Sequence, residues 1–372
     1  MTRSELLAII EEAKWSGQTE LDLSKKEIEE LPPEIAELMN LTSLDLCCNQ
    51  LTTLPSSIGQ LTNLTHIDVS SNELKTLPDA IDHLINLRIL NLNYNKITVI
   101  PNTIATLVNL TDLSLAQNTT AFPTFDSFDP LTIPDSIAQL INLKKLDLSD
   151  NLITDIPNSI TDLVNLTELD LSDNDITIIP NSIAQLVNLR KLNLAFNGIT
   201  TIPDSITSLI SLNELHLAYN RIVSIPDAIA ELVNLTNLGL GVNRITIIPD
   251  SIKNLTNLRD LDLRSNNIIT IPDSIAELSN LAYLDLSYND ISIVPNIITK
   301  LTNLTTLYLS HNPITIIPDS ITQLPNLTLL TIDLNHATNL PDSIVQLVNY
   351  TIELLDRHNK ECIAQTIANL RV

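Results

Sequence analysis

The stretch 255-LTNLRDLDLRSNNIITIPDSI-275 decides how this chain is read. Residues 61-LTNLTHIDVSSNELKTLPDAI-81 keep the same spacing with different letters. Both follow L-x-N-L-x-x-L-x-L-x-x-N-x-[LI]-x-x-[LI]-P-[DN]-x-I, with Ile67 and Val69 standing for two of the leucines in the second. The second asparagine of the pattern recurs at Asn49, Asn72, Asn95, Asn118, Asn151, Asn174, Asn197, Asn220, Asn243, Asn266, Asn289, Asn312 and Asn335. Every interval is 23 residues except the step of 33 from Asn118 to Asn151, which runs long by ten. Lys26 holds the same phase in an earlier, imperfect unit. Length alone would suggest two or three globular domains, but a sustained period makes a repeat array.

Each unit carries its own folding instructions. In Leu169–Asp170–Leu171, alternation turns both leucines inward and the middle residue outward, as one short strand requires. Asparagine follows as the chain leaves the strand, and its amide both donates and accepts, so it can serve backbone groups of neighbouring turns. Next comes a segment such as 133-IPDSIAQL-140. Proline is tolerated at a first helical position but not inside a parallel ladder, so a helical or 3₁₀ turn is expected on the side away from the strands. One unit buries too little apolar surface to offset the ordering of its own backbone. Stacking into a shared core is therefore obligatory.

These residues are the leucine-rich repeat signature. The proline-bearing 23-residue form resembles the repeats of bacterial Roco proteins and of Ras-group leucine-rich repeat scaffolds. The entry 13-AKWSGQTELDLSKKEIEELPPEI-35 looks like the start of cyanobacterial Roco-type repeat regions. The resemblance implies an α/β solenoid, a horseshoe with a parallel concave β-sheet and short helical or 3₁₀ convex segments. Roco proteins carry a GTPase module after their repeats, and nothing in this sequence matches one, so that chemistry is not carried over.

The array is expected to occupy residues 19–345, in about 14 units, with a ten-residue insertion near 120–132. Residues 1–18 read as a helical cap. Thr2-x-x-Glu5 matches a capping box, Gly17 suits a helix C-terminus, and Leu6, Leu7, Ile10 and Trp15 are expected to cover the first repeat. Residues 346–372 lose the consensus and read as a second cap. In the insertion, Phe122 is read as replacing the isoleucine lost before Pro123, with the repeat resuming at Ile133–Pro134. Phe125 and Phe128 have no repeat position to fill and are candidate rim contacts.

Forty-four acidic against 20 basic residues give a net charge of −24. A surface this anionic disfavours nucleic acid and anionic membrane, and favours basic partners. The three cysteines, Cys47, Cys48 and Cys362, form no CxxC pair and no disulfide framework, which fits a reducing, cytoplasmic compartment. Leucine-rich proteins outside the cell usually carry cysteine-rich caps. No phosphate-binding loop, nucleophile elbow or HExxH occurs, and His66 beside Asp45 and Asp68, or His358 with Cys362, fall short of a catalytic or zinc set. No catalytic residue, metal or cofactor is expected. N-x-[ST] matches, such as those at Asn63 and Asn303, recur at one repeat position and are discounted.

Function is therefore expected on the concave face. Asp147, Asp150, Asp170 and Asp173 form an acidic patch there, with neighbouring carboxylates one strand spacing apart. Five of the six tyrosines, Tyr94, Tyr219, Tyr283, Tyr288 and Tyr308, fall in outward strand positions. Tyr283, Tyr288, Tyr308 and His311 are expected to form one cluster; Phe196, His216 and Tyr219 form another. Gly239 and Gly241 leave a notch between them, with Arg264 beyond. The leading expectation is a non-enzymatic module that binds a protein partner through these side chains. The alternatives are a regulatory or scaffold component of small-GTPase, Roco-like signalling, and a secreted effector or adhesin.

Overall fold

The computed structural model describes residues 1–119 and 129–333. Its backbone falls into two compact units, Met1–Ile199 and Thr200–Val372. In the first lie the strands β1 (Glu20–Asp22), β2 (Ser43–Asp45), β3 (His66–Asp68), β4 (Ile89–Asn91), β5 (Asp112–Ser114), β6 (Lys145–Asp147), β7 (Glu168–Asp170) and β8 (Lys191–Asn193). The second holds β9 (Glu214–His216), β10 (Asn237–Gly239), β11 (Asp260–Asp262), β12 (Tyr283–Asp285), β13 (Thr306–Tyr308) and β14 (Leu329–Thr331). Within each unit every strand pairs in parallel with its sequence neighbours. The central residues stack, Leu44 on Ile67 on Leu90 in one unit and Leu261 on Leu284 on Leu307 in the other. Leu261 is fully buried while Asp260 and Asp262 beside it stay partly exposed, which is the alternation read from the sequence.

A three-residue strand is too short to hold itself, and the ladder asparagines bind successive units together. Asn289 is representative. Its Nδ2 donates to the carbonyls of Leu263 (2.9 Å) in the preceding unit and of Leu286 (3.1 Å) and Ser287 (3.2 Å) in its own. Its Oδ1 accepts the N–H of Ile268 (3.0 Å). Asn49, Asn72, Asn95, Asn174, Asn243, Asn266 and Asn312 repeat the arrangement. Each buried amide thus satisfies backbone groups that the short strands leave open. A second asparagine ladder, unforeseen from the sequence, runs through the other asparagine of the pattern. Asn63 Nδ2 reaches the Met39 carbonyl at 2.8 Å, and Asn303 Nδ2 that of Ser279 at 2.7 Å. The recurring N-x-[ST] matches at Asn63 and Asn303 are rungs of that ladder.

The segments opposite the strands are single 3₁₀ turns, with one α-turn at Asn158–Thr161. The expected place of proline needs correction. Pro55, Pro249 and their counterparts are N-cap residues with extended backbone (φ −67°, ψ 145° at Pro55), one position before the helix. Proline still supplies a fixed φ there, but it ends the extended segment rather than opening the helix. Gly59 lies where two such turns touch. A Cβ on it would stand 2.5 Å from the Ala80 carbonyl oxygen.

The N-terminal helix α1 (Arg3–Ser16) has the expected capping box, with the Thr2 hydroxyl accepting from Glu5 N–H and the Glu5 carboxylate accepting from Thr2 N–H. The Thr2 backbone bond holds the Glu5 carboxyl below its ordinary value. Gly17 closes the helix at φ 65°. Leu6, Ile10 and Ala13 are buried, Leu7 is half-buried, and Lys14 pairs with Glu37. Trp15 does not cover the repeat: it is 86% exposed. It follows Leu6 by nine residues, two and a half helical turns, and so faces the opposite way.

After the insertion the described chain rejoins the array by Leu131, which is buried and donates to the Asn151 carbonyl (3.1 Å). Thr132 then bridges to Val99. Strands β5 and β6 pair in register, Leu113 with Leu146, as strands 23 residues apart do elsewhere. Phe122, Phe125, Phe128, Asn335, His358, Cys362 and the expected cap at 346–372 lie outside the described residues.

Candidate functional site

Among the described residues, the one before each ladder asparagine adopts left-handed backbone. It is Tyr94 (φ 55°) and Phe196 (φ 55°) in the first unit, and Tyr219 (φ 56°), Val242 (φ 55°), Tyr288 (φ 55°) and His311 (φ 57°) in the second. This corrects the expectation that Tyr94, Tyr219 and Tyr288 are strand residues; of the tyrosines named, only Tyr283 and Tyr308 are. Left-handed backbone disfavours bulky side chains by roughly 1–2 kcal/mol per residue. These positions nevertheless carry large aromatic groups, and Tyr288 is 55% exposed.

The expected single cluster resolves into two pairs. Tyr283 and Tyr308, neighbours across β12 and β13, meet edge-on with ring centroids 5.7 Å apart. Tyr288 stacks on His311 at 4.0 Å, and the His311 N–H donates to Asp333. Burial raises both strand phenols, and the carboxylate of Asp285 adds to each. Asp285 itself is buried, accepting from Ser287 N–H (2.9 Å) and Oγ (2.6 Å). Phe196, exposed, belongs to the first unit, and His216 and Tyr219 belong to the second.

The two glycines differ. Gly239 sits on β10 between His216 and Asp262, and a cavity of about 290 Å³ opens over it. Gly241 leaves no notch. A Cβ there would lie 2.8 Å from both carboxylate oxygens of Asp262 and 2.9 Å from Arg264 Cγ, so those side chains already occupy the space. Arg264 Nε is 3.5 Å from Asp262 Oδ2. Burial pushes the Asp262 carboxyl up, and its bond from Arg264 N–H only partly offsets this.

On the first unit the acidic patch separates into two roles. Asp147 and Asp170 each accept the N–H and hydroxyl of the serine two residues on, and Asp170 Oδ2 also accepts from Asn193 (2.9 Å). They cap the chain where it leaves the strand. Asp150 and Asp173 occupy left-handed positions, and burial, then the charge of Asp173, raises the Asp150 carboxyl. Between these strands Lys145 pairs with Glu168 at 2.9 Å, which raises the lysine. Elsewhere, Asp68 is engaged by Ser70 and Asn91, and His66 contacts the Thr65 hydroxyl. The Cys47 thiol is pushed up to about 12 by burial and by Asp45, which makes it a poor nucleophile. Among the described residues no three His, Cys, Asp or Glu side chains group as a metal site, and no helix is long and apolar enough to cross a membrane.

Comparison with known proteins matches this architecture. Family models described as leucine rich repeat match residues 18–74, 75–119 and 234–291, and a leucine-rich repeat region model matches 128–240. The structure of a leucine-rich repeat protein from Leptospira interrogans is 34% identical, with a TM-score of 0.73, covering 91% of this chain and 97% of that one. An internalin from Listeria monocytogenes is 28% identical with a TM-score of 0.73, covering 90% and 89% of the two chains. A plant peptide hormone receptor solved in complex with RGF2 is 28% identical with a TM-score of 0.63, covering 84% of this chain and 58% of the receptor chain. A search of curated proteins gave no match. The chain belongs to the leucine-rich repeat family. Domains of this kind generally mediate protein–protein interaction.

Proposed function

We propose that the sheet face of the second unit is a non-enzymatic docking surface for a protein partner. Tyr219, Tyr283, Tyr288 and Tyr308 are its aromatic anchors, with His216 and His311 beside them and Arg264 as a polar contact. One observation carries this reading: the second unit brings partly exposed Tyr219 and Tyr288 together with the edge-on pair Tyr283 and Tyr308 on adjoining strands. Several aromatic rings left accessible on one face are favoured anchors at protein interfaces. The plant receptor solved with RGF2 supports a protein or peptide as the ligand class.

Replacing Tyr219, Tyr288 and Tyr308 together by alanine is expected to weaken partner binding about 100-fold or more with the thermal midpoint little changed. The partner is first captured from native lysate, and its affinity is then measured against both forms. Equal affinity for the triple variant removes the assignment. The small-GTPase link rests on the Roco resemblance, and a cytoplasmic location on three cysteines that form no disulfide framework. Secretion as an effector or adhesin is the rival. Detection in culture supernatant rather than in the cell fraction selects it.

A further inference from the structure

The cavity over Gly239 has the form of a pocket for one long, flat, cationic side chain. Leu238, Gly239 and Ala218 give it a low floor, and Tyr283 stands at one side with His216 at the other. Two carboxylates, Asp260 and Asp262, come from the adjoining strand β11, and no lysine or arginine lines the cavity. The nearby charges offset only one of them. Arg264 contacts Asp262 from the Gly241 side, and His216 lies 3.4 Å from Glu214, whose own charge is negative. Asp285, in register beside Asp262, adds a further buried carboxylate. Asn237 donates to Asp260 Oδ2 at 2.8 Å, which fixes that carboxylate at the rim.

We propose that this cavity is a subsite for an arginine side chain, which the docked partner presents. The proposal rests on the docking reading above and specifies its chemistry. An aliphatic stem fits over glycine and leucine. A guanidinium plane suits the face of Tyr283, and its fork of donors matches the Asp260 carboxylate at the rim, while Asp262 stays engaged with Arg264. A lysine brings the charge without the plane. The raised phenol of Tyr283, due first to burial and then to Asp285 and Asp262, marks the same negative surroundings.

Gly239 makes the test clean. A Cβ there would meet only ordinary contacts, the nearest being His216 Nδ1 at 3.4 Å, so Gly239→Val fills the cavity from a strand that tolerates it. N-acetyl-arginine amide is titrated into the full chain at low salt, followed by NMR, against the citrulline and lysine analogues. Saturable arginine binding is expected, about tenfold or more weaker for citrulline, and similarly weakened by Gly239→Val and by Asp260→Asn. Circular dichroism melts verify folding, and Asp260→Asn decides the matter if Gly239→Val does not fold. Equal binding of citrulline, no loss in the folded variants, or no saturation with the native chain overturns the subsite. Partner affinity separates the two readings. Loss on Tyr288→Ala but not on Gly239→Val keeps the face and removes the subsite. Arginine binding with a partner indifferent to both variants removes the face.

Discussion

Strands β6 to β8 and strands β10 to β13 share one backbone, one register and one hydrogen-bonding scheme, yet they present different chemistry. On the first unit the outward side chains satisfy one another. Lys145 pairs with Glu168, Asp147 and Asp170 cap their own turns, and Asn193 donates to Asp170. On the second unit the same positions hold Tyr283, Tyr308 and Gly239, so rings face outward and the cavity has a glycine floor, whereas the cavity over β5 to β8 is lined by Lys145, Asp147, Glu168, Asp170 and Lys191. The difference shows that in this repeat the core and the ladder fix the fold, while the outward letters are free to be set for contact.

If that division is right, the ladder should matter equally in both units. Asn289→Ala and Asn174→Ala are each expected to lower stability by about 3 kcal/mol or more, since each leaves several buried backbone groups unpaired. Urea titration measures both, and a clear gap between them would break the equivalence. Glycine should then separate the regions. Gly59→Ala in the first unit is expected to lose about 1–3 kcal/mol through overpacking against Ala80. Gly239→Ala in the second should stay within about 0.5 kcal/mol of the native chain, as for a substitution with room around it. The same titration reads both.

The backbone strain offers a smaller, opposite effect. Val242→Asn is expected to stabilise by about 1 kcal/mol, because a β-branched residue is poorly suited to φ 55° and asparagine tolerates it. A drop in the midpoint would mean that packing by the half-buried valine outweighs the strain. Smallest is Asp150→Asn, for which pH gives the sign. Burial and Asp173 raise the folded carboxyl above its unfolded value, so the folded state holds the proton more tightly. Asp150 therefore detracts from stability above its raised pKa, and the penalty fades as pH falls through that value toward the ordinary carboxylate range. The variant's gain, less than about 1 kcal/mol, should be present at neutral pH and vanish in acid melts.

The strands, the ladder asparagines and the core leucines were legible because each recurs in phase and obeys a period of two or a buried-amide requirement. What escaped was set by backbone conformation rather than by residue type. Nothing in the letters of Tyr288 or Phe196 says that φ is positive there; that follows from the turn the ladder asparagine imposes. The N-cap place of proline and the capping role of Asp147 escaped for the same reason, since either residue suits more than one neighbouring position. Trp15 is exposed because its phase on α1 is opposite to that of Leu6, a relation that only the helical period reveals. The aromatic positions were visible in sequence. Their division into a strand pair and a stacked pair depended on which residues stand in register.

The carboxamides of Asn289 and Asn312 reach backward, to a carbonyl and an N–H of the unit before, while the backbone of their own unit waits on the next asparagine. A tandem duplication of 23 residues therefore arrives with its bonds already matched. However many units are added, only the last is left wanting a partner. Arrays of this design can lengthen or shorten by whole units at little structural risk, while a cut within a unit strands the donors of its predecessor.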